Sequence, residues 1–356
     1  MKLRQQLLQP GVLAALLAAL LFGAGTPLAK WLLTTLNPWL LAALLYLGSG
    51  LGMTQYRLVT AAQPVHLARR EWPWLLGAVL SGGVIAPVLL MFGLRGMPAS
   101  GASLLLNAEG VFTALLAWFA FKENFDRRIA LGMLAILAGA AILNWPSDSN
   151  QMKGASFWPA LAILGACFAW GLDNNLTRKV SLTDATWIAA VKGMTAGLVN
   201  LAIAALLGIG TWPSVLTVSM AMLVGLVAYG ISLALFVVAL RHLGTARTGA
   251  YFSVAPFFGA MLALAMGDVI TLPLLIAGVL MAIGVWLHLS ENHTHLHQHE
   301  PMAHEHEHSH DEHHQHEHDE HDEPVAPGSK HRHRHRHDAL KHAHPHFPDS
   351  HHTHDH

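Results

Sequence analysis

What most constrains this chain is a recurrence: apolar stretches as long as a bilayer is thick return ten times. Crossing the hydrocarbon core as a helix takes about 20 predominantly apolar residues. Such stretches fall at 11–29, 38–56, 73–92, 100–121, 129–145, 157–175, 185–206, 215–239, 248–267 and 270–289. Connectors rich in Pro, Gly, Asn and charge part them, as at 57–72, 122–128 and 145–156. In lipid every backbone polar group needs an internal partner, so the pattern predicts an all-α integral membrane protein of ten transmembrane helices. The first stretch follows Lys2 and Arg4 as a signal peptide would, but nine further spans behind it favour a retained first helix.

Lys and Arg sort by connector, which sets orientation. With the N-terminus inside, the inner segments hold Lys2, Arg4, Arg57, Arg69, Arg70, Lys122, Arg127, Arg128, Arg178, Lys179, Arg241 and Arg247. The outer connectors hold only Lys30, Arg95 and Lys153. An even number of spans returns the C-terminus to the same side. A multi-pass protein of the cytoplasmic (inner) membrane, with both termini cytoplasmic, is the expectation.

The apolar body also repeats itself. Phe22 and Gly25 correspond to Phe168 and Gly171, Leu94-Arg95 to Leu240-Arg241, and Phe112 to Phe258, always 146 residues apart. Five spans per copy send the second copy into the membrane from the opposite side. That is an inverted-topology repeat, a common scaffold of secondary transporters with substrate bound near the midplane. The expected units are a five-helix repeat at 10–145, a second at 157–289, and a tail at 290–356.

Three stretches, GAGTPLAKW, GVFTALLAWFAFKENFDRRIALG and ALRHLGTARTGAYFSVAPFFGAMLALAMGD, set in this ten-span frame resemble the EamA family of the drug/metabolite transporter superfamily. The resemblance covers residues 10–289 and leaves out the tail. It implies a secondary exporter whose central cavity is lined by the first, third, fourth, sixth, eighth and ninth helices. It implies no particular substrate, since the family handles amino acids, sugars, drugs and other solutes.

Charge inside a membrane helix costs about 2.5–3.5 kcal/mol on insertion scales, so it usually faces a cavity or a partner. The fourth span carries Asn107 and Glu109, the seventh Lys192 and Asn200, and the sixth ends in Asp173, Asn174 and Asn175. Lys192 is expected to pair with Asp173 or Glu109. Two readings stand open: a coupling site where a carboxylate trades a proton for substrate, or a structural ion pair with amides joining helices. Tyr229, Ser232, Tyr251 and Ser253 offer polar contacts in the eighth and ninth spans, though such groups also join helices without binding anything. Pro27, Pro87 and Pro256 lie within spans and each removes a backbone donor, which exposes carbonyls toward a cavity or simply kinks the helix. Gly48 to Gly52 contains a GxxxG, a weak packing signal. Cys167, the single cysteine, sits among apolar neighbours and reads as a core residue.

The tail is chemically foreign to the body. Of 27 histidines, 24 lie beyond Ser290, alternating with carboxylates at His304, His306, His308 and His310, continuing at His313, His314, His316, His318 and His321. Residues 291–323 hold eleven acids and no Lys or Arg, whereas 331–337 reads HRHRHRH, whose arginines repel a cation or fold the run onto the acidic one. With scattered prolines and no apolar face, the tail is expected to be disordered. Neutral imidazole suits Ni, Co, Zn and Cu ions, so metal binding by this segment is expected. It is unlike an affinity tag, since its longest histidine run is two.

No Gly-Lys pair occurs, so a Walker A loop and an ATP-driven pump are excluded. No serine elbow or zincin motif appears, and nucleic-acid binding has no support. No enzyme activity and no required cofactor are expected. Expected partners are membrane lipid and the transported small solute or metal ion, with a homodimer left open. The leading expectation is a secondary-active exporter of transition-metal cations (Ni, Co, Zn) or their complexes, fed by the tail. The alternative is an EamA-type exporter of amino acids, metabolites or drugs whose tail only buffers metal or regulates transport. A non-transporting membrane-anchored metal store or sensor is the third. One observation weighs against the first: His66 and His242 fall in loops and His288 ends the last span, so no span interior holds a histidine.

Overall fold

The computed structural model describes residues 10–65, 67–121, 127–143, 157–180, 183–208, 212–236, 238–239 and 251–289, and the backbone alone of 294–298, 302–308, 331–337 and 341–345. The chain divides into two units, Met1–Glu291 and Asn292–His356.

Among its described residues the first unit is all helical. Its elements are α1 (Pro10–Leu32), α2 (Pro38–Val59), α3 (Trp72–Ala78), a first π segment (Val79–Ile85), α4 (Ala86–Gly96), α5 (Ala99–Leu105), α6 (Ala108–Phe121), α7 (Arg127–Leu143), α8 (Trp158–Arg178), α9 (Ala185–Leu207), α10 (Val215–Gly225), a second π segment (Leu226–Ile231), α11 (Ala255–Ala265) and α12 (Leu272–Leu289). Proline stands in the first turn of α2, α3, α8 and α11. There its missing N–H costs nothing and its fixed φ starts the helix. Elsewhere a side chain caps the start: Asn37 accepts from the Leu40 N–H at 2.8 Å, and Ser214 from the Thr217 N–H at 3.2 Å.

Five stretches among the described residues are long and apolar enough to cross a membrane: Gly11–Leu32, Trp72–Gly96, Ala99–Leu116, Ala185–Leu207 and Val215–Phe236. Three shorter apolar helices accompany them, Ala130–Leu143, Ala255–Ala265 and Leu272–Leu287.

α2 packs most extensively on α9, and α7 on α12; α8 lies against α4 and α6, and α1 against α11. Small residues permit the first of these contacts. A Cβ on Gly193 would come within 2.6 Å of the Gly50 backbone, so the two glycines let α2 and α9 touch main chain to main chain. The GxxxG glycines themselves, Gly48 and Gly52, face Met222 of α10 and Leu226 of the second π segment, so that motif too is a helix-packing surface. Cys167 is buried, as its apolar neighbours suggest.

In the second unit four short strands are described, in a segment expected from sequence to be disordered. β1 (Thr294–Gln298) pairs antiparallel with β4 (Lys341–Pro345), and β2 (Met302–His308) with β3 (His331–His337). Alternation of period two, which no helix can use, is itself a strand pattern. The register also sets acidic positions of β2 opposite basic positions of β3, an arrangement that favours pairing. His304, His306 and His308 lie in β2; His310, His313, His314, His316, His318 and His321 lie outside the described residues.

Candidate functional site

The site begins with a missing proton donor. Pro87 has no N–H to offer the carbonyls of Gly83, four residues back, or Gly82, five residues back as the π register requires. Both are met by side chains from other helices. Tyr46 Oη donates to Gly82 O at 2.6 Å and Trp170 Nε1 donates to the same oxygen at 3.0 Å. Asn200 Nδ2 donates to Gly83 O at 3.0 Å. α2, α8 and α9 thus converge on one loosened turn of the span that runs from α3 to α4.

Beside that turn stands a buried ion pair. Lys192 Nζ of α9 meets Asp173 Oδ2 of α8, with side-chain exposures of 16% and 6%. The other Asp173 oxygen accepts from Thr177 Oγ1 at 2.9 Å. A Cβ on Gly82 would overlap the Asp173 carboxylate, so glycine at that position is what lets the carboxylate lie against the π segment. Asn200 keeps its Oδ1 buried without a hydrogen-bond partner. Buried polar atoms are almost always satisfied, so this one is conspicuous.

Glu109 enters from a third direction, through a helix the sequence reads as continuous. The expected span 100–121 is broken. α5 ends at Leu105, and the Leu106 N–H is shared between the carbonyls of Ala102 at 3.3 Å and Ser103 at 3.2 Å. Asn107 Nδ2 turns back to Leu104 O at 2.9 Å. α6 then begins at Ala108, which puts Glu109 in its first turn, where free N–H groups favour a carboxylate. Asn174 Nδ2 donates to Glu109 Oε1 at 2.9 Å and to Thr113 Oγ1 at 3.2 Å. Asn175 Nδ2 donates to Thr113 O at 3.1 Å and Gly171 O at 2.8 Å, fastening α8 to α6. The break also frees the Leu105 carbonyl, toward which Cys167 Sγ points at 3.6 Å.

Of the residues singled out from sequence, Asp173, Lys192, Glu109, Asn174, Asn175 and Asn200 come together. Lys192 takes Asp173 as its partner, and Asp173 is buried. Tyr229 joins through its ring, 5.5 Å from that of Tyr46 and 5.9 Å from that of Phe22. Asn107 forms the helix break and faces Met281 Sδ at 3.9 Å. Tyr251 packs instead against Ala14, Ala15 and Ala239, and Ser232 Oγ donates to Ala18 O at 2.9 Å, joining helices. Tyr46, Trp170, Thr113 and Thr177 were not singled out. Among four tyrosines in the chain, one facing a Gly-Gly-x-x-x-Pro turn was the available signal. A cavity of about 340 Å³ lies elsewhere, where the end of α1 meets the start of α10, lined by Trp31, Thr34, Thr35, Leu216, Thr217 and Met220. Among the side chains described, no group of three His, Cys, Asp or Glu is placed to hold a metal.

Polar contacts also close both ends of the bundle. At one end Lys30 Nζ donates to the Leu94 carbonyl, and Asp268 Oδ2 accepts from the Ser100 N–H at 2.8 Å. At the other, Arg57 reaches Asp184 at 3.0 Å and Thr186 Oγ1 at 2.7 Å.

Apolar helices long enough to cross lipid, two of them interrupted around buried charge, define a helical membrane transporter. Residues 9–145 match the EamA-like transporter family. An uncharacterized transporter of Methanothermobacter thermautotrophicus is 28% identical over 292 residues, 78% of this chain and 85% of that protein. A probable 4-amino-4-deoxy-L-arabinose-phosphoundecaprenol flippase subunit of Pseudomonas aeruginosa is 37% identical over 109 residues, 29% of this chain and 92% of the subunit. A probable amino-acid metabolite efflux pump of Salmonella typhimurium is 30% identical over 171 residues, 47% of this chain and 52% of the pump. The chain belongs to the EamA-like transporter family. None of these relatives is named for a metal, so the leading expectation of metal export yields to the metabolite alternative.

Proposed function

We propose that the protein is a secondary-active exporter of small amine-bearing metabolites of the amino-acid class, a carrier rather than an enzyme. The observation that carries this reading is the Lys192–Asp173 pair, buried between α8 and α9 beside Glu109. A zwitterionic solute presents an ammonium and a carboxylate. It can replace each half of the pair for the other, so neither charge is left uncompensated in low dielectric. The amine in the printed names of two relatives agrees with this choice.

The transport frame belongs to the same proposal: ten spans in two inverted five-helix repeats, both termini on the cytoplasmic side of the inner membrane. Two features support it. The π segments begin at Val79 and Leu226, 147 residues apart, close to the 146-residue offset of the sequence repeat. Helix contacts also obey the exchange of halves, with α2 on α9, α7 on α12, and α1 on α11 as α8 on α6. π turns lengthen a helix by one residue at the cost of regular bonding and recur at functional sites. Here they are the places where the spans can rotate while the pair opens. The end with Arg57 and Asp184 then faces the cytoplasm, and the end with Lys30 and Asp268 the outside. Glu109 is the proton-coupling group.

The test is efflux from proteoliposomes loaded with a mixture of radiolabelled amino acids, or with Zn(II) or Ni(II), under an imposed proton gradient. Amino-acid efflux that Glu109→Gln uncouples from the gradient supports the proposal. Movement of metal without movement of any amine overturns it.

A further inference from the structure

We propose that the two histidine-alternating runs of the tail build one transition-metal site, shared between β2 and β3, which nothing in the family accounts for. The register carries the argument. His304 lies opposite His335, His306 opposite His333, and His308 opposite His331. Directly opposed residues share a face, and successive residues alternate faces. All six histidines therefore occupy one face of the two-stranded ribbon. The other face receives Glu305 opposite Arg334 and Glu307 opposite Arg332.

This division answers the objection raised by the arginines. From sequence alone HRHRHRH repels a cation; in this register Arg332 and Arg334 are matched by acids on the far face, Arg336 lies opposite Ala303, and His331, His333 and His335 complete the near face. A slip by one residue in either direction would set His304 and His306 opposite arginine and His333 opposite glutamate, and lose both matches at once. The alternation selects the register that makes a site.

The spacing suits a metal. Opposed Cβ atoms in an antiparallel pair stand about 4.5–5.5 Å apart. Successive same-face pairs are about 7 Å apart along the strands. Two neighbouring pairs thus put four histidine positions on one face, the number of ligands that a tetrahedral Zn(II) site takes; Ni(II), Co(II) and Cu(II) accept imidazole as well. β1 and β4 repeat the device, with His295 opposite His344 and His297 opposite His342. A bare two-stranded ribbon is marginal in water, and a metal bridging its strands supplies what an apolar face otherwise would. The site does not depend on what crosses the membrane.

The experiment uses the full-length protein in detergent, titrated with Zn(II) against a competing chelator, and with Co(II) as a spectroscopic probe of tetrahedral nitrogen ligation. Changing His331, His333 and His335 together to Ala is expected to weaken Zn(II) binding by about tenfold or more and to abolish the tetrahedral Co(II) bands. The same change at His304, His306 and His308 should do as much. Reversing Glu305 and Glu307 to Arg should weaken binding, and adding Arg332→Glu and Arg334→Glu should restore it. If the basic-run histidines can be removed without effect, or if the charge swap restores nothing, the shared site is wrong.

Discussion

The two π segments, which begin 147 residues apart at Val79 and Leu226, invite comparison because they are held so differently. The first, Val79–Ile85, precedes a proline, contains Gly82-Gly83, and has both glycine carbonyls capped by Tyr46, Trp170 and Asn200. The second, Leu226–Ile231, runs into Ser232 with its π bond intact, from the Ser232 N–H to Val227 O, and presents the Tyr229 ring to Phe22 and Tyr46. One is polar and abuts the ion pair; the other is aromatic. Two like interruptions thus carry unlike surroundings. On the proposed function, charge is read on one side of the solute and apolar surface on the other.

The comparison is tested hardest at the charge. Lys192→Met leaves Asp173 buried without its partner, which typically costs about 3–5 kcal/mol. Thermal unfolding in detergent should show that loss, and transport should vanish. The double variant Asp173→Asn, Lys192→Met should recover most of the stability and none of the transport. If it recovers transport as well, the pair is scaffold and the polar half is not the reader of charge.

Next in size is the glycine that seats the carboxylate. Gly82→Ala drives a methyl group into Asp173 and the neighbouring main chain is fixed by three hydrogen bonds, so overpacking of about 1–3 kcal/mol is expected. Gly230→Ala in the aromatic half meets only the ends of Leu226, Ser49 and Met53, the nearest at 3.3 Å, and should cost well under about 1 kcal/mol. Melting temperatures of the two variants compare the halves directly; equal losses would erase the distinction.

Tyr46→Phe removes one of two donors to Gly82 O and should cost about 1 kcal/mol. Tyr229→Phe keeps the ring contacts that hold it and should leave the melt within about 0.5 kcal/mol. A fall in transport for Tyr229→Phe at unchanged stability would assign its hydroxyl to the solute.

How much of this was legible follows from range. Helix starts are local, and Pro38, Pro73, Pro159 and Pro256 announce them. Pro87 announced exposed carbonyls, because a missing N–H is a property of one residue. What caps those carbonyls was illegible, since Tyr46 and Trp170 come from 36 and 88 residues away and an aromatic residue in a greasy span reads as lipid-facing. Lys192 announced a carboxylate partner, but choosing Asp173 over Glu109 needed α8 and α9 to pack against the same π segment. The break at Leu106-Asn107 carries no Gly or Pro, so periodicity ran straight through it. In the tail the alternation was plain, yet the absence of an apolar face argued for disorder. Which positions would face one another across the two runs is a matter of register, which alternation alone leaves open.

The smallest expected effect separates the site from the frame that holds it. Partial burial raises the Asp184 pKa, but hydrogen bonds from Thr186, Arg57 and the Trp187 N–H, with the Arg57 charge, outweigh it and hold the carboxyl below its usual value. A carboxylate so depressed stabilises the fold above its unfolded pKa of about 3.9. That contribution is lost as pH falls through the folded value. With the Asp184 side chain 36% exposed, such a pair contributes about 0.2–1 kcal/mol. Asp184→Asn keeps a competent N-cap for α9 while removing the charge. The variant should melt slightly below the parent at pH 7, the gap closing as pH falls below the usual carboxyl range and through the folded value, with transport at pH 7 unchanged once protein amount is equalised. A loss that persists at low pH would move the contribution from the ion pair to the cap. A transport defect at full stability would make the Arg57 end of the bundle part of the gate rather than its hinge.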